Sequence, residues 1–192
     1  VMLILLRTLV QPKLDYCAQL WSPADQASIN ELEAVQRHMV NRIRDTKLDN
    51  MDYWEKLQEL RLYSQERRRE RYMVIFLWKI SQGLVSGYDV EFSSDGGRRG
   101  RIIVPKVIVR SAPSNVKKAR ERSLGVRGPQ IFNLLPANLR EMNTDHVDTF
   151  KNHLDVFLSS IPDQPTVTGL GRGAETNSLL HQLPLFYNLT VK

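Results

Sequence analysis

The sequence is poor in the groups that most chemistry requires. It holds a single cysteine, Cys17, which excludes an intrachain disulfide and a cysteine-rich zinc site. A lone thiol suits a reducing, intracellular setting, in nucleus or cytoplasm. No Asp-Asp pair occurs, so the paired aspartates that hold two metal ions in a polymerase are missing. Asp145 and Asp148 flank His146, but acidic residues there are better explained as stabilising a helix N-terminus than as metal ligands. His38, His146, His153 and His181 are scattered, with no Cys or Glu partner at ligand spacing. Gly169-Leu170-Gly171-Arg172-Gly173 follows no strand, so it is not read as a phosphate loop. No nucleophile can be named. The chain is expected to be no enzyme on its own, with no cofactor and no small-molecule substrate.

Long apolar runs are lacking too. A membrane span needs about 20 apolar residues. The run Val1-Met2-Leu3-Ile4-Leu5-Leu6 stops at Arg7, and Pro12 follows. No basic segment precedes it, so it does not fit a signal peptide. An apolar start of this kind is expected to be a helix cut from its partner, and no membrane partner is expected.

What is present is apolar residues at 42% of 192, enough for a core of one domain, or a domain plus a tail. Positive charge is also plentiful, but unevenly placed. Residues 98–128 carry ten Lys/Arg, namely Arg98, Arg99, Arg101, Lys106, Arg110, Lys117, Lys118, Arg120, Arg122 and Arg127, against Glu121 alone. Local ion pairs cannot neutralise such a stretch, whereas a phosphate backbone can, by releasing counterions.

Periodicity predicts a mainly α fold. Residues 1–10 and 12–21 form two helical pieces around Pro12. Ile29, Leu32, Val35, Met39, Val40 and Ile43 make one stripe of a helix over 25–45, with Ser28 and Glu31 spaced as a capping box. A shorter helix over 52–61 carries Trp54, Leu57 and Leu60. Ser64 caps a helix over 65–83 that Gly83 ends. That helix starts with Arg67, Arg68, Arg69 and Arg71 and turns apolar all round from Tyr72 to Trp78. It is therefore expected to run from a wet basic end into the core. Glu66 and Glu70 lie within reach of several of these arginines. An ion-paired face and a phosphate contact both remain open for Arg67, Arg68 and Arg71.

Beyond Gly87 the pattern changes. Ser93-Ser94-Asp95-Gly96-Gly97 predicts a loop. The β-branched run from Arg101 to Arg110, split by Pro105, predicts two short strands or an edge hairpin. Ser123-Leu124-Gly125-Val126 is a further strand candidate. Gly128-Pro129 opens a short helix, and 145–159 forms a last amphipathic one. Proline and glycine from Pro162 onward predict a mobile tail, with a turn of helix near Leu179-Leu180. The expected organisation is a helical, thumb-like bundle (1–87), a small basic α+β extension with a short β-hairpin (88–160) and a mostly flexible tail (161–192).

Several stretches carry a resemblance. Leu9-Val10-Gln11-Pro12-Lys13-Leu14-Asp15-Tyr16-Cys17 leads to Trp21-Ser22-Pro23 and Leu32-Glu33-Ala34-Val35-Gln36-Arg37. Ser64 to Tyr72 leads to Trp78-Lys79-Ile80. Val126-Arg127-Gly128-Pro129-Gln130-Ile131-Phe132-Asn133, Leu135-Pro136 and Thr149-Phe150-Lys151 follow. In order and spacing these resemble the region downstream of the polymerase core in jockey-like non-LTR (LINE-type) retrotransposon reverse transcriptases, over roughly residues 5–185. The resemblance implies a thumb that closes on the template–primer duplex and an extension that holds template RNA. The catalytic aspartates of such enzymes, with their Mg ions, lie upstream, as does their endonuclease. The Cys/His zinc knuckle of some branches has no counterpart here.

Two functions are expected from this. The first is a non-catalytic nucleic-acid-binding fragment of an RNA-directed DNA polymerase, with RNA or an RNA–DNA hybrid and the missing palm and fingers as partners. The second is a decayed or domesticated remnant acting as a helical protein-interaction domain, docking through residues 1–6 and the Trp54 helix.

Overall fold

The structure, a computed structural model, describes residues 1–23, 25–87, 91–92, 100–104, 113–165 and 177–190, the side chains of 189 and 190 excepted. Among them the fold is mainly helical. Helix α1 (Met2–Leu5) continues through a π-helical turn, Leu6–Val10, into α2 (Gln11–Asp15). Pro12 lies in α2, directly after the π-helical turn, and having no N–H it cannot donate to that turn. The irregularity is the π turn that immediately precedes α2 and its proline.

Helix α3 (Gln26–Val40) starts earlier than its serine suggests. Asp25 caps it, accepting from Ser28 N at 2.9 Å. Helix α4 (Tyr53–Glu59) carries a full capping box, with Asp52 and Glu55 bonding each other's backbone N–H. Helix α5 (Gln65–Ser81) is capped by Ser64, whose Oγ accepts from Arg67 N. It ends where Gly83 takes a positive φ of 68°, a conformation that glycine adopts without steric cost.

After Pro113 come α6 (Ser114–Glu121), α7 (Leu124–Leu134), α8 (Ala137–Arg140), α9 (Val147–Ser159) and α10 (Leu179–Thr190). Helix α7 replaces the strand expected over 123–126 and begins at Leu124, ahead of the Gly128-Pro129 pair. Packing overrides the two helix breakers. Gly128 lies so close to α5 that a Cβ there would meet Leu77 Cδ1 at 2.8 Å. Ile131 and Phe132, one turn later, are fully buried. The short hairpin expected over 101–110 is not seen among the described residues. Phe92 and Ile102 form an isolated antiparallel bridge, and 105–110 lie outside the described residues, as does the 93–97 loop.

The main core gathers Trp78 and its α5 neighbours with Ile131 and Phe132 of α7, Leu139 of α8, Phe150 and Leu154 of α9, and Leu179 and Leu183 of α10. Trp78 stacks on Phe150, with centroids 4.5 Å apart and planes 7° from parallel. Its indole N–H donates to Met142 O at 3.0 Å. A second core holds Leu6, Val40, Tyr53, Leu57 and Leu62, with Trp54 packed against it. The main core therefore crosses the expected boundary at residue 87. It also draws in Leu179 and Leu183, so the helix over 179–190, which extends the turn expected near Leu179-Leu180, docks on this core.

Candidate nucleic-acid interface

Helix α5 reverses the expected picture of a wet basic end. Ser64, Gln65, Glu66, Arg67, Arg69 and Glu70 are all buried. Buried guanidinium groups require partners, and each of these finds them far away in sequence. Arg67 is 0% exposed. It donates to Pro162 O at 2.9 Å and to Gln182 Oε1, with Asp163 at 3.9 Å. Arg68 clasps Asp15 with both faces of its fork, at 2.7 and 2.6 Å. Arg71 holds Asp155 in the same way, at 2.5 and 2.7 Å. Burial works against the charge of Arg68 and Arg71, but the hydrogen bonds and attraction of Asp15 and Asp155 outweigh it. Both arginines end with pKa values above the ordinary one.

Arg69 differs from these three. It donates to the carbonyls of Trp21 and Leu14, each at 2.8 Å, and lies over the Trp21 ring at 4.1 Å. With burial opposed only by Asp15 at a distance, its pKa is lowered.

Arg127, a member of the basic stretch in sequence, belongs with the buried set. It donates to Glu70 Oε1 at 2.9 Å, to Glu66 Oε1 at 3.0 Å and to Ser178 Oγ at 3.0 Å. The same two carboxylates also receive α10, through Asn177 N at 3.1 Å and Leu179 N at 2.6 Å. Arg67, Arg68, Arg71 and Arg127 therefore tie parts of the fold together; for Arg67, Arg68 and Arg71 this is the ion-paired alternative left open by the sequence, and Arg127 joins them within the chain. Glu66 and Glu70 both pair with Arg127 on α7, and among the described residues other carboxylates pair with Arg67, Arg68 and Arg71. The carboxylates that do so, Asp15, Asp155 and Asp163, do not stand out in the sequence. Their separations from those arginines, 53 to 96 residues, leave no local signal.

The exposed cations are elsewhere. Every residue of α6 is exposed, and none is buried. Lys117, Lys118 and Arg120 project from it, and among the described residues no carboxylate lies within ion-pair distance of them. Arg122, at the end of α6, is half-buried and reaches Pro23 O at 3.3 Å. Burial, then repulsion from Arg127, lowers its pKa. Arg101 is exposed and stands near enough to Arg140 to help burial lower the pKa of that residue. Arg98, Arg99, Lys106 and Arg110 lie outside the described residues.

Asp148 lies in the first turn of α9 and accepts from Lys151 Nζ at 2.8 Å, which holds its carboxyl below the usual range. Among the described residues, no group of three or more His, Cys, Asp and Glu is placed to hold a metal ion. No described helix is long and apolar enough to cross a membrane. Comparison with protein-family models, with curated proteins and with solved structures gave no match.

Proposed function

We propose that the chain is a non-catalytic nucleic-acid-holding part of an RNA-directed DNA polymerase, and that α6 faces the phosphate backbone. The observation that carries this reading is the state of Lys117, Lys118 and Arg120. All three are exposed on one short helix that buries nothing, and they pair with no carboxylate among the described residues. Such groups attract a polyanion without reading its bases. The resemblance to the thumb and downstream region of jockey-like retrotransposon reverse transcriptases supports the choice of an RNA or RNA–DNA partner. The role is positional: cations keep a duplex in register while the palm of the parent polymerase does the Mg-dependent chemistry.

The test is a salt series of binding to an RNA–DNA hybrid. The triple variant Lys117→Gln, Lys118→Gln, Arg120→Gln is expected to bind more weakly at low salt. The slope of log K against log salt should fall by roughly 2 to 3, at about 0.9 for each phosphate no longer neutralised. An unchanged slope with the fold intact overturns the reading.

A second reading, a helical protein-interaction domain, is favoured by one observation. Val1, Ile4, Leu9, Tyr16 and Leu20 are all more than half exposed along the first twenty residues. Capture of a protein partner that competes with no RNA would support it. The Trp54 helix contributes less than expected to such a surface, because Trp54 packs edge-on against Tyr53 and under Arg37.

A further inference from the structure

A small cavity lies where four parts of the chain meet. It is lined by Ser22, by Ile29 and Leu32 of α3, by the first turns of α5, and by Arg122 and Arg127 at either end of the α6–α7 junction. Its volume is about 10 Å³, room for one water-sized centre. Two of its lining side chains carry a buried polar atom with no hydrogen-bond partner, Oε1 of Gln65 and Nε of Arg69. Gln65 is 1% exposed and Arg69 3%. Their other polar atoms are engaged, Gln65 Nε2 with Gln36 Oε1 at 2.6 Å and the two Arg69 amino groups with backbone carbonyls.

One of these atoms is an acceptor and the other a donor. That pairing restricts what fits. A chloride ion satisfies the Arg69 N–H but leaves the Gln65 oxygen without a donor. A metal cation suits the oxygen, but Glu66 and Glu70 in the lining are already paired with Arg127, and Arg69 and Arg122 also face it. A water molecule donates to one and accepts from the other, and buried unpartnered polar groups favour such an arrangement. We propose that this cavity is a binding site for a single ordered water, which bridges Gln65 Oε1 and Arg69 Nε across the first turn of α5. Such a water site is independent of any role in nucleic-acid binding.

The test is proton NMR of the full chain in water. Arg69 Hε is expected to show a cross-peak at the water frequency with the sign of a long-lived, protein-bound molecule. Water relaxation dispersion should count one fewer long-lived water in the Gln65→Met variant, which lacks the acceptor. The wild-type cross-peak stands as evidence if that variant does not fold. The proposal is overturned by an Arg69 Hε resonance without a water cross-peak while the α5 amides keep their folded shifts. It is equally overturned by a cross-peak that vanishes on adding chloride.

Discussion

Glu70 accepts Arg127 Nε at 2.9 Å on one carboxylate oxygen and Leu179 N at 2.6 Å on the other. One side chain of α5 thus joins α7 and α10 to the same point. Arg127 is buried, and so are Glu66 and Glu70. Removing the cation leaves two carboxylates in the interior without their counter-charge. Arg127→Met is expected to lower the stability measured by urea unfolding by about 3–5 kcal/mol. Hybrid binding by the remaining folded protein should keep its salt slope. A reduced slope at full stability would restore Arg127 to the phosphate-contacting group.

The Arg68–Asp15 clasp ties α5 to the end of α2, and Tyr72 Oη also donates to Asp15 at 3.1 Å. Asp15→Asn keeps the shape and removes the charge. A hydrogen-bonded charge pair of this kind contributes about 2 kcal/mol. The variant is expected to unfold at correspondingly lower urea, with an unchanged dependence on denaturant. Equal midpoints for the variant and the parent chain would mean that the clasp contributes nothing.

Glu33 is a buried carboxylate on α3. It accepts from the Tyr53 hydroxyl and from Gln65 N at 2.7 Å. Burial pushes its pKa up from 4.5 to about 7, against the pull of those two bonds. The folded state therefore favours the neutral acid. The stability this contributes is complete below about pH 4.5 and is lost as pH rises through 7. The loss amounts to about 3 kcal/mol. Glu33→Gln should flatten this part of the stability–pH curve and gain relative to the parent chain above pH 7. A parent curve that rises between pH 5 and 7, once the other groups are accounted for by the same variant, would contradict this.

Gly128 tests the approach of α7 to α5. A Cβ at this position meets Leu77 Cδ1 at 2.8 Å, and Leu77 is itself buried. Gly128→Ala is expected to destabilise by about 1–3 kcal/mol despite alanine's better helix propensity. Gly125→Ala has open space around its Cβ and should stabilise slightly by comparison. Reversed signs in thermal unfolding would refute the close approach.

Much of the architecture is legible in the sequence because apolar spacing dictates it. Helices α3, α4, α5 and α9 fall where the apolar period places them, although α3 stops at Val40 and is capped by Asp25 instead of the Ser28 box, and Ser64 and Gly83 mark the ends of α5. The first turn of α7 is hidden because Gly125, Gly128 and Pro129 mimic a break, whereas the later part follows the short helix expected from Gly128-Pro129. Helix α10 is hidden by Pro184 and the glycines before it. The candidate site divides in the same way. A local excess of cations announces α6, but nothing local separates Lys117 from Arg127. Sequence shows where charge is added and not which carboxylate, dozens of residues away, folds back onto it.

The bareness of α6 has a further consequence. Eight residues are too few for a helix to persist in water on backbone bonds alone, and Ser114–Glu121 adds no buried side chain to them. Its amides should exchange with deuterium far sooner than those around Trp78. A cationic strip with so little tethering can shift to match the spacing of whatever polymer it meets. Under the proposed role in phosphate contact, that adaptability suits a grip indifferent to base order.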